Sequence, residues 1–408
     1  MAEQILIAGG GIGGLVTSLL LHRAGITCRV FESAPGFAGL GVGINLLPHA
    51  VRELTLLGLD TALEQSAIAT ACLTYVNKFG QTIWSESRGR EAGYSWPQYS
   101  IHRGRLQTLL FEAARDRLGA GRIHTNAHLS EFQQDSTQVH ATFLNRQSGE
   151  ISAQASGTAL IAADGIHSAA RRAFYPNEGP PQFSGRLLWR AVSECPPFLD
   201  GRTMIMAGHA NQKFVAYPIA KNLVNWVAEL HIGGTEAPIR RDWNRRAAKS
   251  SFAPAFRSWR FPWIDIPGLI ESAHEVFEFP MVDRDPVDRW TFNRVTLLGD
   301  AAHPMYPIGS NGASQAILDA SALTEALTSI HSTQDALAAY EHARLAATAA
   351  IVHSNRLQGP EAVMQLAEER APNGFEKIED IISNTEMESI ATTYKQTAGF
   401  DRHILERK

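Results

Sequence analysis

The sequence predicts an α/β protein, and three observations support this fold class. The first is a strand, a glycine-rich turn and a helix at the N-terminus. The second is a pair of later apolar strands that each end in an acidic residue beside a glycine, and the third is a β-rich block between those two strands. Together they predict a discontinuous GxGxxG Rossmann-like domain with an inserted β-sheet domain and C-terminal helices.

The N-terminal unit has the pattern of a dinucleotide-binding turn. An apolar strand runs directly into the glycine-rich segment 9–14, and a second apolar strand ends at Glu32, 18 residues after Gly14. Gly9 permits the tight turn, Gly11 lets the backbone approach a pyrophosphate, and Gly14 lets the helix pack closely on the strand. Glu32 is placed to accept hydrogen bonds from the adenosine ribose and disfavours a 2′-phosphate. The unit predicts FAD or NAD without deciding between them, and a glycine turn in an ordinary βαβ unit is the alternative.

Bulk properties narrow the class of protein. A chain of 408 residues with 44% hydrophobic and 19% charged residues is typical of a globular enzyme of about two domains. The net charge of −4 gives no reason to expect a nucleic-acid or membrane partner. The three cysteines show no CxxC spacing, which favours a reduced, cytoplasmic compartment. His102, His167 and His303 lie far apart in sequence, so we expect no metal site.

The order of these patterns predicts three parts of the chain. Segments with the same predicted secondary-structure pattern are assigned to the same part. The nucleotide-binding domain comprises residues 1–70, 100–180 and 281–355, the β-sheet substrate domain comprises residues 71–99 and 181–280, and a helical tail comprises residues 356–408. The tail is expected to be either a dimer element or a cover for the fold. A cleft between the two domains is where a small-molecule site is expected.

Two acidic residues follow buried-looking strands. Asp164-Gly165 follows the apolar run 159–163, and Gly299-Asp300 follows the apolar run 295–298. Ligands of α/β sheets lie at the carboxyl ends of the strands, so both acids are candidates for cofactor contacts. The alternatives are that Asp164 forms a turn before a helix and that Asp300 caps the segment after it.

With these motifs in this order, residues 1–350 resemble the class A FAD-dependent aromatic hydroxylases. That family carries a GxGxxG, an Asp-Gly and a Gly-Asp motif, with the β-sheet domain inserted between the last two. Within the family, several sequence segments resemble those of the members that act on 5-methylphenazine-1-carboxylate. These segments are residues 41–45, 97–103, 223–226, 281–286 and 299–319. Many enzymes of this subgroup act on other aromatic acids.

The resemblance implies a set of FAD contacts. Gly9, Gly11, Gly14 and Glu32 would hold the ADP part, and Asp300 would contact the ribitol. Asp164 would act near the pyrophosphate and the nicotinamide cofactor. Arg103 and Gln107 match an Arg and a Gln of the family that contact FAD; for Arg103 a solvated helix charge is the alternative.

The segment after Asp300 is expected to lie against the flavin ring. Its glycines free the backbone, and a helix from about Ala313 would aim its positive end at the reduced ring. Ser310 and Asn311 stand where the family usually has Gly and Gln, and we read both as subfamily variation. The expected ring neighbours are Pro304, Gly309 and Gly312, and the expected cofactor contacts here are Asn311, Gly312 and Ala313.

The resemblance implies an FAD-dependent monooxygenase. It would use NADH or NADPH as a transient co-substrate and would activate O₂ as a flavin C4a-hydroperoxide. The substrate would be an aromatic or phenazine-type carboxylic acid, which would be hydroxylated with or without decarboxylation. The alternative is a flavin-dependent reductase or oxidase that inserts no oxygen. Substrate contacts are expected from Tyr217, Trp226, Met305 and Pro307, with core packing as the alternative for Trp226. Arg190 is expected to pair with a substrate carboxylate or to form a structural ion pair.

Overall fold

A computed structural model describes residues 4–37, 41–236 and 245–405. The described residues form 21 strands and 11 α-helices. The strands are β1 Gln4–Ala8, β2 Thr27–Phe31, β3 Gly43–Leu46, β4 Ala67–Thr70, β5 Cys72–Val76, β6 Thr82–Ser87, β7 Gln98–His102, β8 Ile123–His124, β9 His128–Gln134, β10 Val139–Leu144, β11 Ile151–Gly157, β12 Ala159–Ala162, β13 Gln182–Glu194, β14 Thr203–His209, β15 Gln212–Ala220, β16 Leu223–His231, β17 Arg260–Phe261, β18 Ile264–Asp265, β19 Phe277–Asp283, β20 Thr291–Phe292 and β21 Val295–Leu297. The helices are α1 Ile12–Arg23, α2 Pro48–Leu56, α3 Asp60–Ser66, α4 Arg103–Leu118, α5 Ala169–Phe174, α6 Ile266–Ser272, α7 Gly312–Ser329, α8 Thr333–Arg356, α9 Ala362–Arg370, α10 Asn384–Thr397 and α11 Arg402–Leu405.

A six-stranded sheet carries the glycine turn and both acidic motifs. Its strand order is β20-β21-β12-β1-β2-β8, and every neighbouring pair except β20–β21 is parallel. The central strands are buried on both faces, which explains why they are continuously apolar in the sequence. Helices α1 and α7 cover one face, and the β9–β11 sheet with α8 covers the other. The ends of β1, β12 and β21 therefore meet at one edge.

A seven-stranded sheet forms the second layer. Its order is β19-β13-β16-β15-β14-β5-β6, so the hairpin β5–β6 joins strands that lie more than 100 residues later in the chain. One face packs on an aromatic core that includes Trp226, Phe252 and Phe256. Its strands come from residues 72–87 and 182–283, and the division of the chain into domains stays a prediction.

The C-terminal segment packs onto the second sheet. Helices α9 and α10 contribute Val363, Met364 and Met387 to a core shared with Met204 and Met206 of β14. The segment thus covers this fold from within the same chain, as one of the two alternatives for the tail expects. No helix among the described residues is long and apolar enough to cross a membrane.

Candidate active site

A cavity of about 390 Å³ lies between the two large sheets. At one end it is lined by the glycine turn and the acidic motifs, represented by Gly11, Gly165 and Asp300. At the other end it is lined by side chains of β13 to β16, among them Arg190 and Tyr217. One continuous space therefore connects the glycine turn with the face of the inserted sheet.

The glycine turn needs each of its predicted glycines for a different reason. Gly9 has φ +106°, and a Cβ there would lie 2.2 Å from the carbonyl oxygen of Ala163. A Cβ on Gly14 would lie 2.0 Å from the carbonyl oxygen of Gly9, so helix α1 packs directly on the turn. Gly11 is different because a Cβ there would meet no protein atom within 4 Å and the residue lines the cavity. Two glycines thus close the turn, and the third leaves space for a ligand.

Glu32 holds the turn from the end of β2. Its Oε2 accepts a hydrogen bond from the backbone N–H of Gly10 at 2.6 Å, and its Oε1 accepts one from the backbone N–H of Ala34 at 2.7 Å. A carboxylate offers about four lone-pair sites, so both oxygens can accept further hydrogen bonds from a ribose. Glu32 therefore organises the turn and keeps acceptor capacity for a nucleotide.

Two helix N-termini face the cavity. Helix α1 begins after Gly11, and helix α7 begins at Gly312; Gly13, Gly312 and Ala313 line the cavity. The first N–H groups of a helix have no partner within the helix and carry the positive end of its dipole. Both ends are suited to an anionic ligand such as a pyrophosphate or a reduced ring.

Asp164 lies at the edge of the cavity without lining it. Its Oδ2 accepts a hydrogen bond from the backbone N–H of Ala169, at the start of α5, at 2.8 Å. Burial raises the pKa of its carboxyl, and hydrogen bonds from Ser168 and Ala169 oppose that effect. This geometry fits the turn-forming alternative, while the neighbouring Ala163 and Gly165 face the cavity. A contact from Asp164 to the cofactor stays a prediction.

Asp300 and Arg103 both line the cavity. The side chain of Asp300 is open to the cavity; desolvation by the surrounding protein raises its pKa, although His303 and Arg103 lower it. Burial also lowers the pKa of Arg103, and the neighbouring Arg190 adds to that effect. Arg103 is therefore not a solvated helix charge.

Gln107 lies one turn further on and donates from Nε2 to the carbonyl of Gly10 at 3.1 Å, which supports the glycine turn.

A buried ion network, which the sequence analysis missed, fixes the loop after Asp300. Asp319 of α7 accepts hydrogen bonds from His303 Nε2 at 2.5 Å, Arg344 Nε at 2.8 Å and the backbone N–H of Gly299 at 3.1 Å. Burial alone would raise the pKa of Asp319, but His303 and Arg344 lower it to about 2. The spacing from residue 303 to 319 and 344 carries no local pattern, which is why sequence reasoning did not find it.

The expected ring neighbours do not all reach the cavity. Gly312 lines it together with Met305 and Pro307, whereas Pro304 is buried and is not among the lining residues. Gly309 has φ +67° and is packed against the ring of Tyr394, whose hydroxyl would lie 2.0 Å from a Cβ there. Contacts from Pro304 and Gly309 to the flavin ring stay a prediction.

Ser310 adopts a conformation that explains the usual glycine at its position. Its φ is +55°, in the left-handed region that a side chain rarely occupies. The hydroxyl lies 3.3 Å from Asn45 Nδ2, which donates to it, and Ser310 lines the cavity beside Asn311. The departure from the family pattern thus keeps the backbone shape and adds a polar group.

The alternation of side chains along the inserted strands decides which predicted substrate residues reach the cavity. Arg190 of β13 and Tyr217 of β15 point to the cavity face. Trp226 of β16 points to the other face, where it is fully buried and donates from Nε1 to Ser193 Oγ at 2.9 Å. The expected substrate contact from Trp226 is therefore corrected to core packing, and its neighbour Val227 takes the cavity position.

Arg190 is held in place by the protein backbone. Its Nη2 donates to the carbonyl of Gly43 at 3.0 Å, and its guanidinium lies 5.8 Å from the ring of Phe279. It forms no ion pair within the described part of the chain, so the structural ion pair is not what fixes it. Burial raises the pKa of Tyr217 to about 12, although Arg190 and Asn225 lower it. The Tyr217 hydroxyl is therefore protonated at neutral pH.

Fold and site together define a dinucleotide-binding flavoprotein with a separate substrate sheet. The family model described as an FAD binding domain matches residues 2–355. The chain belongs to this family, and it is an FAD-dependent aromatic hydroxylase. The fit of FAD is visible at Gly11 and Gly165, where a Cβ would meet open space and the backbone can lie against a pyrophosphate.

Relatives and solved structures agree with this class. Phenazine 1,6-dicarboxylic acid hydroxylase PhzS of Lysobacter antibioticus is 42% identical over 362 residues, which cover 86% of this chain and 89% of that protein. 3-Hydroxybenzoate 6-hydroxylase 1 of Aquipseudomonas alcaligenes is 30% identical over 363 residues, covering 86% and 87%. Klebsiella pneumoniae HpxO, solved with FAD and uric acid, has the same fold with a TM-score of 0.74 at 22% identity, covering 95% of this chain and 97% of that one.

Proposed function

We propose that this chain hydroxylates an aromatic carboxylic acid of the benzoate or phenazine type, with O₂ and with NADH or NADPH as the source of hydride. The observation that carries the proposal is the single cavity that runs from Gly11 and Asp300 to Arg190 on the inserted sheet. Bound FAD supplies the redox and oxygen chemistry, and the protein supplies binding, orientation and exclusion of water. Loss of the carboxylate accompanies hydroxylation if the attacked carbon carries it.

The nucleotide end of the cavity supplies a site for each part of FAD. Backbone N–H groups at the start of α1 bind the pyrophosphate, and Glu32 accepts hydrogen bonds from the adenosine ribose. Asp300 accepts from the ribitol hydroxyls. The N-terminus of α7, at Asn311, Gly312 and Ala313, stabilises negative charge on the reduced ring by about 0.5–2 kcal/mol.

The substrate end binds a flat acid between apolar walls. The Arg190 Nε is buried and meets no acceptor among the described residues, and its Nη2 already donates to Gly43. Arg190 is half-buried and lines the cavity, so a substrate carboxylate can pair with the part of its guanidinium that is open to the cavity. Met206, Val215 and Val227 supply the apolar walls around the ring. Arg190 therefore orients the substrate, and the walls keep water away from it.

The names of relatives support an aromatic acid as substrate. They include a phenazine dicarboxylic acid, 3-hydroxybenzoate and 3-amino-4-hydroxybenzoate. All three carry a carboxylate on a flat ring, which is the group that Arg190 is placed to bind. The shared feature supports the substrate class and leaves the particular ring open.

The test uses FAD-loaded protein in air. NADH and NADPH oxidation is followed with and without 5-methylphenazine-1-carboxylate, phenazine-1,6-dicarboxylate and 3-hydroxybenzoate, and products are identified by mass. Substrate-stimulated oxidation with one new oxygen in the product supports the proposal, and ¹⁸O₂ labels that oxygen. Oxidation that gives only hydrogen peroxide with all three acids would favour an oxidase. A bound FAD that neither nicotinamide reduces would contradict the proposal.

A further inference from the structure

A buried ion cluster closes the substrate end of the cavity. Lys213 Nζ lies 2.8 Å from Glu229 Oε2 and 2.5 Å from Glu361 Oε2, and all three residues line the cavity. Only 6% of Lys213, 3% of Glu229 and 4% of Glu361 is exposed. We call these three residues the Lys213 cluster.

Three distant parts of the chain build the Lys213 cluster. Lys213 of β15 and Glu229 of β16 are directly opposite in the antiparallel register. Glu361 lies immediately before α9 in the C-terminal segment, and the turn 359–361 packs against the loop 308–310. The cluster therefore joins the substrate sheet to the loop that is expected beside the flavin ring.

Stability alone does not account for the cluster. Removing three charges from water is costly, and apolar side chains in place of a buried ion cluster are often neutral or stabilising. The neighbouring cavity positions on the same strands are apolar, at Val215 and Val227. Three charged groups beside these apolar positions of the cavity wall favour a role toward the ligand.

The balance of donors and acceptors sets what the cluster can bind. The Lys213 ammonium has three donors, while the two carboxylates offer about eight lone-pair sites. Arg186 reaches Glu229 from the far side at 3.3 Å, and Arg356 pairs with Asp283 and Asp285 instead. Burial would lower the pKa of Lys213, but Glu229 and Glu361 raise it, so the ammonium stays charged. Acceptors therefore outnumber donors within the Lys213 cluster.

We propose that the Lys213 cluster is a subsite for a hydrogen-bond donor on the substrate, namely a hydroxyl, an amino group or a protonated ring nitrogen. The inference rests on the proposed function, in which Arg190 takes the carboxylate. A second carboxylate at this end would meet Glu229 and Glu361 and would be repelled. Because one relative is named as a phenazine 1,6-dicarboxylic acid hydroxylase, a substrate with a second carboxylate at this end is the main alternative to a hydrogen-bond donor.

The sheet register separates the two polar ends of the substrate site. Arg190, Val227 and Val215 form one row across the strands, and Leu188, Glu229 and Lys213 form the next row on the same face. Arg190 and Lys213 are thus two strands apart, about 10 Å, and two residues apart along the strands, about 7 Å. A ligand that contacts both must carry its carboxylate and its donor at opposite ends.

The test is ligand binding to the oxidised, FAD-loaded protein, without NADH and without turnover. The probes share one ring system and differ at one position: phenazine-1-carboxylate, 6-hydroxyphenazine-1-carboxylate and phenazine-1,6-dicarboxylate. Titrations followed by the flavin absorbance change give each Kd. We expect the hydroxylated probe to bind at least about tenfold more tightly than the dicarboxylate.

Variants assign this preference to the Lys213 cluster. Glu361→Gln and Glu229→Gln remove one negative charge each, and either is expected to reduce the preference severalfold by improving the affinity for the dicarboxylate. Glu368→Gln is the matched control, because Glu368 lies on α9 but pairs with Lys78 away from the cavity. If one cluster variant does not hold FAD, the other still gives the comparison.

The outcomes separate this inference from the proposed function. Equal affinities for the probes, a preference for the dicarboxylate, no binding of any probe, or a preference unchanged in both cluster variants would overturn the inference. Because binding is measured without oxygenation, a protein can show the expected preference and still form no hydroxylated product. That combination would overturn the proposed function alone.

Discussion

The two ends of the cavity are built in different ways. At the nucleotide end, backbone and glycine positions from short segments meet at the edge of a parallel sheet, as Gly9, Gly11 and Gly14 do. At the substrate end, single side chains project from alternate positions of antiparallel strands, as Arg190 and Lys213 do. The nucleotide end depends on local backbone shape, and the substrate end depends on which face each strand position occupies.

The two ends of the cavity also differ in how a substitution affects folding. Gly9 and Gly14 make close backbone contacts, so a methyl group on either residue disturbs the fold. A side chain at the substrate end can be exchanged for one of similar size with little effect on folding but a large effect on the ligand. The fold therefore constrains the cofactor site strictly and leaves the substrate site open to variation.

The largest expected effect comes from the buried network behind the nucleotide end. We expect Asp319→Ala to destabilise the protein by about 3–5 kcal/mol, because it leaves His303 and Arg344 without their shared carboxylate. Chemical denaturation of the FAD-loaded protein measures the change. Asp116→Ala, in an exposed pair with Arg115, is the control and should change stability by less than about 1 kcal/mol.

The same carboxylate predicts a pH dependence. Folding lowers the pKa of Asp319 from 3.8 to about 2, so its stabilising contribution is complete above pH 3.8 and is lost as the pH falls toward 2. The wild-type protein should lose stability more steeply than Asp319→Ala over this range. Parallel curves for the two proteins between pH 4 and pH 2 would contradict the assignment.

Two alanine substitutions in the glycine turn separate folding from cofactor binding. Gly14→Ala should destabilise the protein by about 1–3 kcal/mol with or without FAD, because its Cβ would lie 2.0 Å from the Gly9 carbonyl oxygen. Gly11→Ala should leave the apoprotein as stable as the wild type and weaken FAD binding, because its Cβ would point into the cavity. Thermal unfolding and FAD titration measure the two effects. Unchanged FAD affinity in Gly11→Ala would break the proposed division between the three glycines.

At the substrate end, Arg190→Met should act on the substrate alone. We expect the KM for an aromatic acid to rise about 10- to 100-fold, with FAD affinity unchanged, because the carboxylate loses its cationic partner. Arg190→Lys should recover part of the loss, since it keeps the charge without the fork geometry. A Met variant with normal KM would show that the carboxylate binds elsewhere.

The smallest expected effects test which side chains of β15 and β16 face the cavity and which face the core. Trp226→Phe should leave KM within about threefold of the wild type and cost about 1 kcal/mol of stability, since it loses the hydrogen bond to Ser193. Tyr217→Phe should show the reverse, with a change in KM and little change in stability. Steady-state kinetics and thermal unfolding of the two variants check this. A large KM effect of Trp226→Phe would contradict its place in the core.

The strand–turn–helix unit could be predicted from the sequence because its signals are local. The turn 9–14 and Glu32 each follow from short patterns, and the structure places them at the ends of the neighbouring strands β1 and β2, while their cofactor contacts stay predictions. Trp226 was misplaced although β16 alternates: Val224, Trp226 and Ala228 form an apolar face, and Asn225 and Glu229 lie on the opposite face. Charged residues at alternate positions, Lys213 and Glu229, were the available signal for the cavity face.

Contacts between distant segments could not be predicted from the sequence, for a different reason. Tyr394 packs against Gly309, and Glu361 reaches Lys213, across more than 80 residues in each case. The C-terminal segment could be predicted as helical, but nothing in its composition indicated that it supplies a residue to the cavity. The structure shows that this segment completes the substrate end.

The most direct test of the two-ended site is a crystal structure of the FAD-loaded protein with a bound aromatic acid. We expect the pyrophosphate against Gly11 and the start of α1, the flavin ring against the segment 310–313, and the substrate carboxylate on Arg190. A carboxylate bound away from Arg190, or a pyrophosphate away from the glycine turn, would contradict the division between the two ends.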